Sequence, residues 1–493
     1  MNEDNYLKFK NSKEQKFLFL YSSFSDLSNF LLNIVKNDNS QTVVISDTIS
    51  KALSFYKIAE QYISKDNIEI IHKNLNKTQI FSAYKNINSG KTKLIIGTKT
   101  AIFSPFSNLK TIIILDEESI YHKQYDQNPR YNVKDVAEYM ANISKDLKLI
   151  YTSSSPSIET YNKNLEIINI KDNIKKELNI VFIEGDYIDT IKDNIEKAQE
   201  LNKKVVIINN NRLHSSSIIC NDCGYIEKCE KCNIPLKLDK NINKEVCKIC
   251  GLEKDIISYC PVCKSTNIKF IGIGNQKIYQ KLNEIYQNKK IKIIDKSIRQ
   301  ININEINSLD IIIGTDFLIK NYLAYINNIY SLILFSVDDY FIMPDFKSNE
   351  FMFRYIVNIT NIAKEKNIDR IYIKTKHKND AILNYALSND YLSFFQEEIK
   401  TRKLLNYPPF SIIIKLIIKD KNKKEYDKKI AKIKDILYNA QKIETLGENT
   451  KLNKNETHII IKINKEEYNN LKDIIKNISK YALLDINPEF LIK

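Results

Sequence analysis

The apolar residues of this chain fall into short runs separated by amphipathic stretches. Phe17-Leu18-Phe19-Leu20-Tyr21, Thr42-Val43-Val44-Ile45, Leu94-Ile95-Ile96, Thr111 to Leu115 and Leu147 to Tyr151 are dense in aliphatic and aromatic residues, as strands buried on both faces are. Between them, Asp26 to Val35, Thr48 to Ser64 and Val133 to Ile143 read as helices. Such alternation predicts βαβ units and a parallel sheet covered on both sides. A second series starts at Val205-Val206-Ile207-Ile208, is interrupted, and resumes at Ile291 to Ile294, Asp310 to Ile313, Leu332 to Val337 and Arg370 to Ile373. After the turn signal Tyr407-Pro408-Pro409-Phe410 the texture changes. Strand Ile412 to Ile418, a Lys-rich helix Glu425 to Gln441, strand His458 to Ile463 and helix Lys465 to Ser479 predict an α+β domain. The Lys-rich helix reads as a solvated face.

The interruption holds all eight cysteines, as four Cys-x-x-Cys pairs: Cys220/Cys223, Cys229/Cys232, Cys247/Cys250 and Cys260/Cys263. Two such pairs complete the tetrahedral sulfur shell of a structural Zn²⁺, so four pairs predict two Zn²⁺ per chain. Gly224 and Gly251 each follow a second cysteine, where a tight turn favours glycine. A nested arrangement is expected, with Cys220, Cys223, Cys260 and Cys263 around one ion and Cys229, Cys232, Cys247 and Cys250 around the other. A disulfide framework is the competing reading. It is set aside because the N-terminus, MNEDNYLKFK, lacks the apolar core of a signal peptide, which places the chain in a reducing compartment. Runs such as Ser331 to Phe335 are far short of a membrane span, so a cytoplasmic protein without a membrane partner is expected.

Length and charge sharpen this picture. With 493 residues, several domains are required. An excess of 75 Lys and Arg over 60 Asp and Glu leaves a net charge of +15, which favours a polyanionic partner. Much of that charge is Lys on periodic segments and belongs to ordinary solvated surface.

The cysteine spacing, with two, five, two, fourteen, two, nine and two residues between successive cysteines, is preceded by Asn211-Arg212. Upstream stand Gly97-Thr98-Lys99-Thr100-Ala101-Ile102-Phe103-Ser104-Pro105-Phe106, Leu115-Asp116-Glu117-Glu118-Ser119, Pro129-Arg130-Tyr131 and Ser155-Pro156-Ser157-Ile158-Glu159. Downstream follow Gly314-Thr315, Pro344-Asp345-Phe346-Lys347, Glu350, Asp390-Tyr391, Pro408-Pro409-Phe410 and Asp485-Ile486-Asn487-Pro488. In this order they resemble the PriA family of replication-restart helicases, from about residue 17 to the end. The resemblance implies two RecA-like helicase lobes, a two-zinc Cys-rich module inserted in the second and an α+β C-terminal domain. The expected boundaries are 1–175 for the first lobe, 176–217 for the start of the second, 218–266 for the module, 267–395 for the rest of the second lobe and 396–493 for the C-terminal domain. It also implies DNA as partner, in forked, single-stranded or branched form, together with other primosome proteins and the machinery that loads the replicative helicase.

Departures from the family pattern matter as much. Family members carry an N-terminal DNA-binding domain and a winged-helix segment ahead of the first helicase strand, where this chain has few residues, and those modules are expected to be missing. A phosphate loop needs backbone N–H groups around the phosphates and a Gly-Lys-Ser/Thr ending. The chain instead reads Tyr21-Ser22-Ser23-Phe24-Ser25-Asp26-Leu27, and Gly90-Lys91-Thr92 lacks the preceding strand and upstream glycine. Where the last helicase motif should supply arginines to the transferred phosphate, the chain has Asn358 to Glu365 without one. Asp116 and Glu117 are therefore read as remnants of a catalytic acidic pair, with ATP and Mg²⁺ unused. In Tyr121 to Tyr131, aromatics alternate with basic and amide groups. Tyr121, Tyr125 and Tyr131 are candidates for stacking on unpaired bases, and Lys123 and Arg130 for contacting phosphate; packing of the loop on its own lobe is the alternative. The expectation is a restart protein that binds stalled or abandoned forks and promotes reloading of the replicative helicase without hydrolysing ATP. The rival is an active ATP-dependent 3'-5' DNA helicase with an unorthodox nucleotide site.

Overall fold

A computed structural model describes residues 3–37, 40–170, 177–210, 217–220, 222–230, 234–239, 242–247, 250–271, 274–298, 301–335, 337–343, 345–451 and 455–491. Cys232, Asn211, Arg212 and Pro344 lie outside the described residues. In the first lobe, strands β1 (Lys16–Leu20), β2 (Gln41–Ile45), β3 (Ile68–Ile71), β4 (Leu94–Gly97), β5 (Leu109–Ile114), β6 (Lys148–Ser153) and β7 (Glu166–Asn169) form one sheet. Their order is β3-β4-β2-β5-β6-β1-β7, with all adjacent strands parallel. The central strands are buried on both faces, so one apolar cluster lies on each side. Phe17, Phe19, Val44 and Ile113 face one, and Leu18, Val43, Ile112 and Ile114 face the other. The helix expected over Thr48 to Ser64 closes earlier, at Ile49–Ala59.

The second lobe contains β8 (Asn179–Phe182) and β9 (Lys204–Ile208) before the cysteine-rich insertion. The insertion has β10 (Ser217–Cys220), β11 (Lys237–Asp239), β12 (Lys244–Val246), β13 (Glu253–Asp255) and β14 (Ile268–Ile271). After it come β15 (Ile291–Ile294), β16 (Ile311–Gly314), β17 (Ile329–Leu334) and β18 (Arg370–Ile373), giving a parallel sheet in the order β15-β16-β9-β17-β18-β8. Each lobe has a Gly-Thr turn at a strand's carboxyl end. A Cβ on Gly97 would lie 2.2 Å from the Ile71 carbonyl oxygen, and one on Gly314 would lie 2.4 Å from the Leu318 side chain. Only glycine permits those close approaches.

The C-terminal domain is an antiparallel sheet of β19 (Ser411–Lys419), β20 (Ile443–Lys451), β21 (Glu456–Asn464) and β22 (Leu483–Ile486), ordered β20-β21-β19-β22. Ile414, Leu416 and Ile418 alternate towards helices 423–439 and 472–478, where Tyr426, Ile433, Ile475 and Ile478 complete the core. The opposite face carries Lys415, Ile417 and Lys419.

Candidate functional site: a cysteine-rich module and a reorganised acidic segment

The cysteine-rich insertion is stapled at its base by the antiparallel pair β10–β14 and carries the three-stranded sheet β11-β12-β13 above it. The Sγ atoms of Cys220, Cys223, Cys260 and Cys263 all lie within 4.8 Å of one another, and those of Cys229, Cys247 and Cys250 form a second such group. Cys220 and Cys263 sulfurs are 3.4 Å apart, and Cys223 and Cys260 and Cys229 and Cys250 are each 3.6 Å apart. A tetrahedral site with zinc–sulfur bonds of about 2.3 Å would place its sulfurs about 3.8 Å apart, close to what is seen. Both groups can therefore hold a metal ion. The knuckles share one backbone device. The residue after the second cysteine is left-handed in three of them, Gly224 (φ 74), Gly251 (φ 74) and Lys264 (φ 61). Its N–H donates back to the first cysteine's carbonyl at 2.9 Å, 3.0 Å and 3.0 Å respectively. This turns two thiols towards one point.

At the carboxyl ends of the first lobe's strands, the segment after β1 begins with buried Tyr21 and runs into helix Phe24–Lys36, whose N-cap Ser23 accepts from the Asp26 N–H. Asp26 adds negative charge in the first helical turn. Asp116, which follows β5 with φ 48, is engaged by two side chains: the Tyr21 hydroxyl donates to it and the Lys51 ammonium pairs with it. Ser119 donates to Asp47 at 2.9 Å. Glu117 is wholly buried. It accepts from Lys134 at 2.8 Å, from the Ser157 N–H and hydroxyl at 2.6 and 2.8 Å, and from the Thr160 hydroxyl at 2.7 Å. Burial would raise its pKa, but the Lys134 charge and these hydrogen bonds outweigh it and hold the carboxyl at about 2. Glu118 goes the other way: burial and the charges of Asp116 and Glu117 push it well up, against Arg354.

Residues 121–131 leave this segment as a loop closed by a bridge between Lys123 and Asn132 and by the Gln124 N–H donating to the Tyr131 carbonyl at 2.8 Å. His122, at its root, is buried with its Nε2 against the Leu115 and Asp116 carbonyls. Lys123 is 1% exposed and pairs with Asp485 at 3.2 Å; Arg130 pairs with the same carboxylate at 3.0 Å. The two cations offered to phosphate by the local sequence thus sit on β22, because a carboxylate from the far end of the chain folds back onto them. Tyr125 lies beneath the Arg130 guanidinium, and Tyr131 packs edge-on to Phe103 with centroids 5.2 Å apart. Tyr121 is exposed, with the second lobe's Lys320 over its ring.

Comparison with known proteins decides the family. A replication restart protein PriA of Borreliella burgdorferi is 31% identical over 458 residues, covering 85% of this chain and 67% of its own length. The chain belongs to the PriA family. Those of Thermotoga maritima and Bacillus subtilis are 26% and 24% identical, over 75% and 70% of this chain. The chain spans about half the length of these two, 52% and 45%. No family model matches the chain. A RecG bound to a three-way DNA junction is 12% identical, with a TM-score of 0.44 over 79% of this chain and 44% of its own. The fold rests on the sheet orders rather than on that likeness.

In this PriA-family chain, the two parallel sheets are the RecA-like helicase lobes, and the fold brings together residues that no local pattern singles out. The second lobe does present an arginine to the acidic segment, Arg354, one turn before the stretch where the sequence lacks one. It donates to the Glu118 carbonyl at 3.1 Å and pairs with Glu350. Glu350, wholly buried, also accepts from Arg402 at 2.6 Å and from the Ile158 N–H at 3.2 Å. Arg402 continues to Glu398 at 2.9 Å and Glu159 at 3.2 Å. Lys347 joins Glu159 at 3.7 Å and Glu489 at 3.3 Å. Glu159, Glu350, Lys347 and Asp485 stood in the family's motif order, yet their mutual contacts were invisible in it. The partners Lys51 and Lys134 carried no signal at all, and Tyr21 stood out only as a strand end and the start of the segment in place of the phosphate loop.

Proposed function

We propose that this PriA-family protein acts in replication restart by binding branched DNA at stalled or abandoned forks and promoting reloading of the replicative helicase, without hydrolysing ATP. The observation that carries the reading is the occupation of Asp116 by Lys51 and Tyr21, beside a strand-to-helix turn built of Tyr21-Ser22-Ser23. A carboxylate that anchors Mg²⁺ must be open to it, and a phosphate needs a ring of N–H donors and a lysine rather than Asp26. Family membership supplies the restart role, and the net charge of +15 suits a DNA partner. The two sulfur groups support two Zn²⁺ per chain, the inner one completed by Cys232. Closed four-thiolate sites leave no open coordination position, so the metal supports the fold of the module rather than a reaction. The test is to titrate fork, single-stranded and duplex DNA side by side at moderate salt, with and without ATP and Mg²⁺. Preferential retention of the fork, unchanged by nucleotide, is expected. Fork affinity that shifts with ATP would favour the active helicase, and no retention of any DNA would remove the reading.

A further inference from the structure

Two depressions on the C-terminal domain run into one another. The first, of about 550 Å³, lies on the sheet face turned away from the helices and is bounded on one side by Asn128 and Arg130 of the first lobe's loop. The second, of about 600 Å³, follows helix 423–439. They meet at Lys429, Lys480 and Tyr481. Because side chains alternate along a strand, β19 sends Ile414, Leu416 and Ile418 to the core and Lys415, Ile417 and Lys419 into the first depression. The second adds Lys428 and Lys432. Seven cationic side chains line the joined trough, against the carboxylates of Glu425, Asp435 and Glu456.

Of these cations, Arg130 is held by Asp485 at 3.0 Å and Lys429 pairs with Asp420 at 2.8 Å; the other pairs are more exposed. Lys419 meets Glu456 at 3.3 Å and Lys428 meets Glu425 at 2.7 Å, and both lysines are well exposed. Such pairs contribute little and yield to a stronger anion. Lys480 is exposed and has no carboxylate partner among the described residues. Lys415 lies buried at the floor of the depression and Lys419 is exposed at its rim, about 13 Å away along the strand. The Tyr481 ring packs half-buried against the domain's core and lines both depressions, so its exposed part offers a surface suited to an unpaired base.

We propose that this trough takes the phosphodiester backbone of a single nucleic-acid strand, leading it from the first lobe's loop along the sheet face to the Lys-rich helix. The inference rests on the reading of the protein as a DNA-binding one and assigns that binding a path. The helix that the sequence marks as a solvated face is then one bank of the site.

Fluorescence anisotropy of a labelled oligothymidine and of a blunt duplex, titrated with the metal-replete chain over a salt series, tests it. Each phosphate contact on a single strand contributes about 0.7 to the log–log salt slope. The triple variant Lys419→Ala/Lys429→Ala/Lys480→Ala is expected to flatten the slope for the single strand by about 2. The control Lys472→Ala/Lys476→Ala, exposed lysines outside the trough, is expected to leave it near the parent's. The single change Lys480→Glu, on an exposed side chain, should weaken binding at low salt while leaving the far-ultraviolet circular dichroism unchanged. A triple variant with the parent's affinity and slope, or a parent that prefers the duplex, overturns the proposed path while leaving DNA binding intact. A parent that retains neither DNA overturns the DNA-binding reading itself.

Discussion

Asp116 and Glu117 stand next to each other and do opposite things. Asp116 turns towards the strand ends, where Lys51 and Tyr21 hold it, and Glu117 turns inward to Lys134, Ser157 and Thr160. The inward carboxylate is the more consequential for stability. Its pKa of about 2 lies below the ordinary 4.5, so the folded state holds it charged where the unfolded chain would protonate it. The stabilisation is present above about pH 4.5 and is lost as the pH falls towards 2. A displacement of that size corresponds to roughly 3 kcal/mol. Glu117→Gln is therefore expected to lower stability at pH 7 by up to that amount and to flatten the loss between pH 4.5 and 2, read as urea midpoints by far-ultraviolet circular dichroism. A variant whose midpoints track the parent's at every pH would show that Lys134 does not hold this carboxylate. The acidic pair was legible in the sequence because its motif is contiguous. Its captors were not, because Lys51 sits in an ordinary amphipathic helix and Tyr21 ends an ordinary apolar strand.

At the scale of elements, each cysteine knuckle is a local event and the pairing of knuckles is not. The left-handed residue after the second cysteine was visible as Gly224 and Gly251, whereas Lys264 adopts the same conformation without the glycine that would mark it. The pairing follows from the antiparallel closure of β10 on β14, which brings the first knuckle to the last. With two independent sulfur groups, Cys220→Ser and Cys229→Ser are each expected to keep one metal equivalent of two in freshly purified protein. Loss of both metals in either variant, or of neither, would show that the eight thiols are not divided in this way. The buried central strands read clearly from their aliphatic density. Edge strands read poorly: β20 has few apolar residues and a register shift between Thr445 and Gly447, so neither alternation nor density betrays it. The first lobe's edge strand β7 is short, and only its third residue is buried.

Across the whole molecule, the two lobes and the C-terminal domain are joined by both apolar and ionic contacts. Ile158 of the first lobe belongs to the second lobe's core cluster, and Tyr161 packs edge-on to Tyr391 and Phe395 with centroids 4.9 and 4.7 Å away. Around this contact run Arg354, Glu350, Arg402, Glu159, Lys347 and Glu489, and Asp485 of β22 fastens the first lobe's loop. Removing one partner of such a buried set leaves an uncompensated charge, so the set favours one relative placement of the lobes. A nucleotide-driven motor needs two placements, exchanged as the nucleotide is bound and released. One favoured placement suits the proposed role of recognising DNA and holding it. Phosphate release in the presence of ATP, Mg²⁺ and fork DNA, measured for the parent and for Asp116→Asn alongside fork binding, tests this most directly. No DNA-stimulated release from either protein and equal fork affinity are expected; release by the parent that disappears in Asp116→Asn would contradict an ATP-independent role.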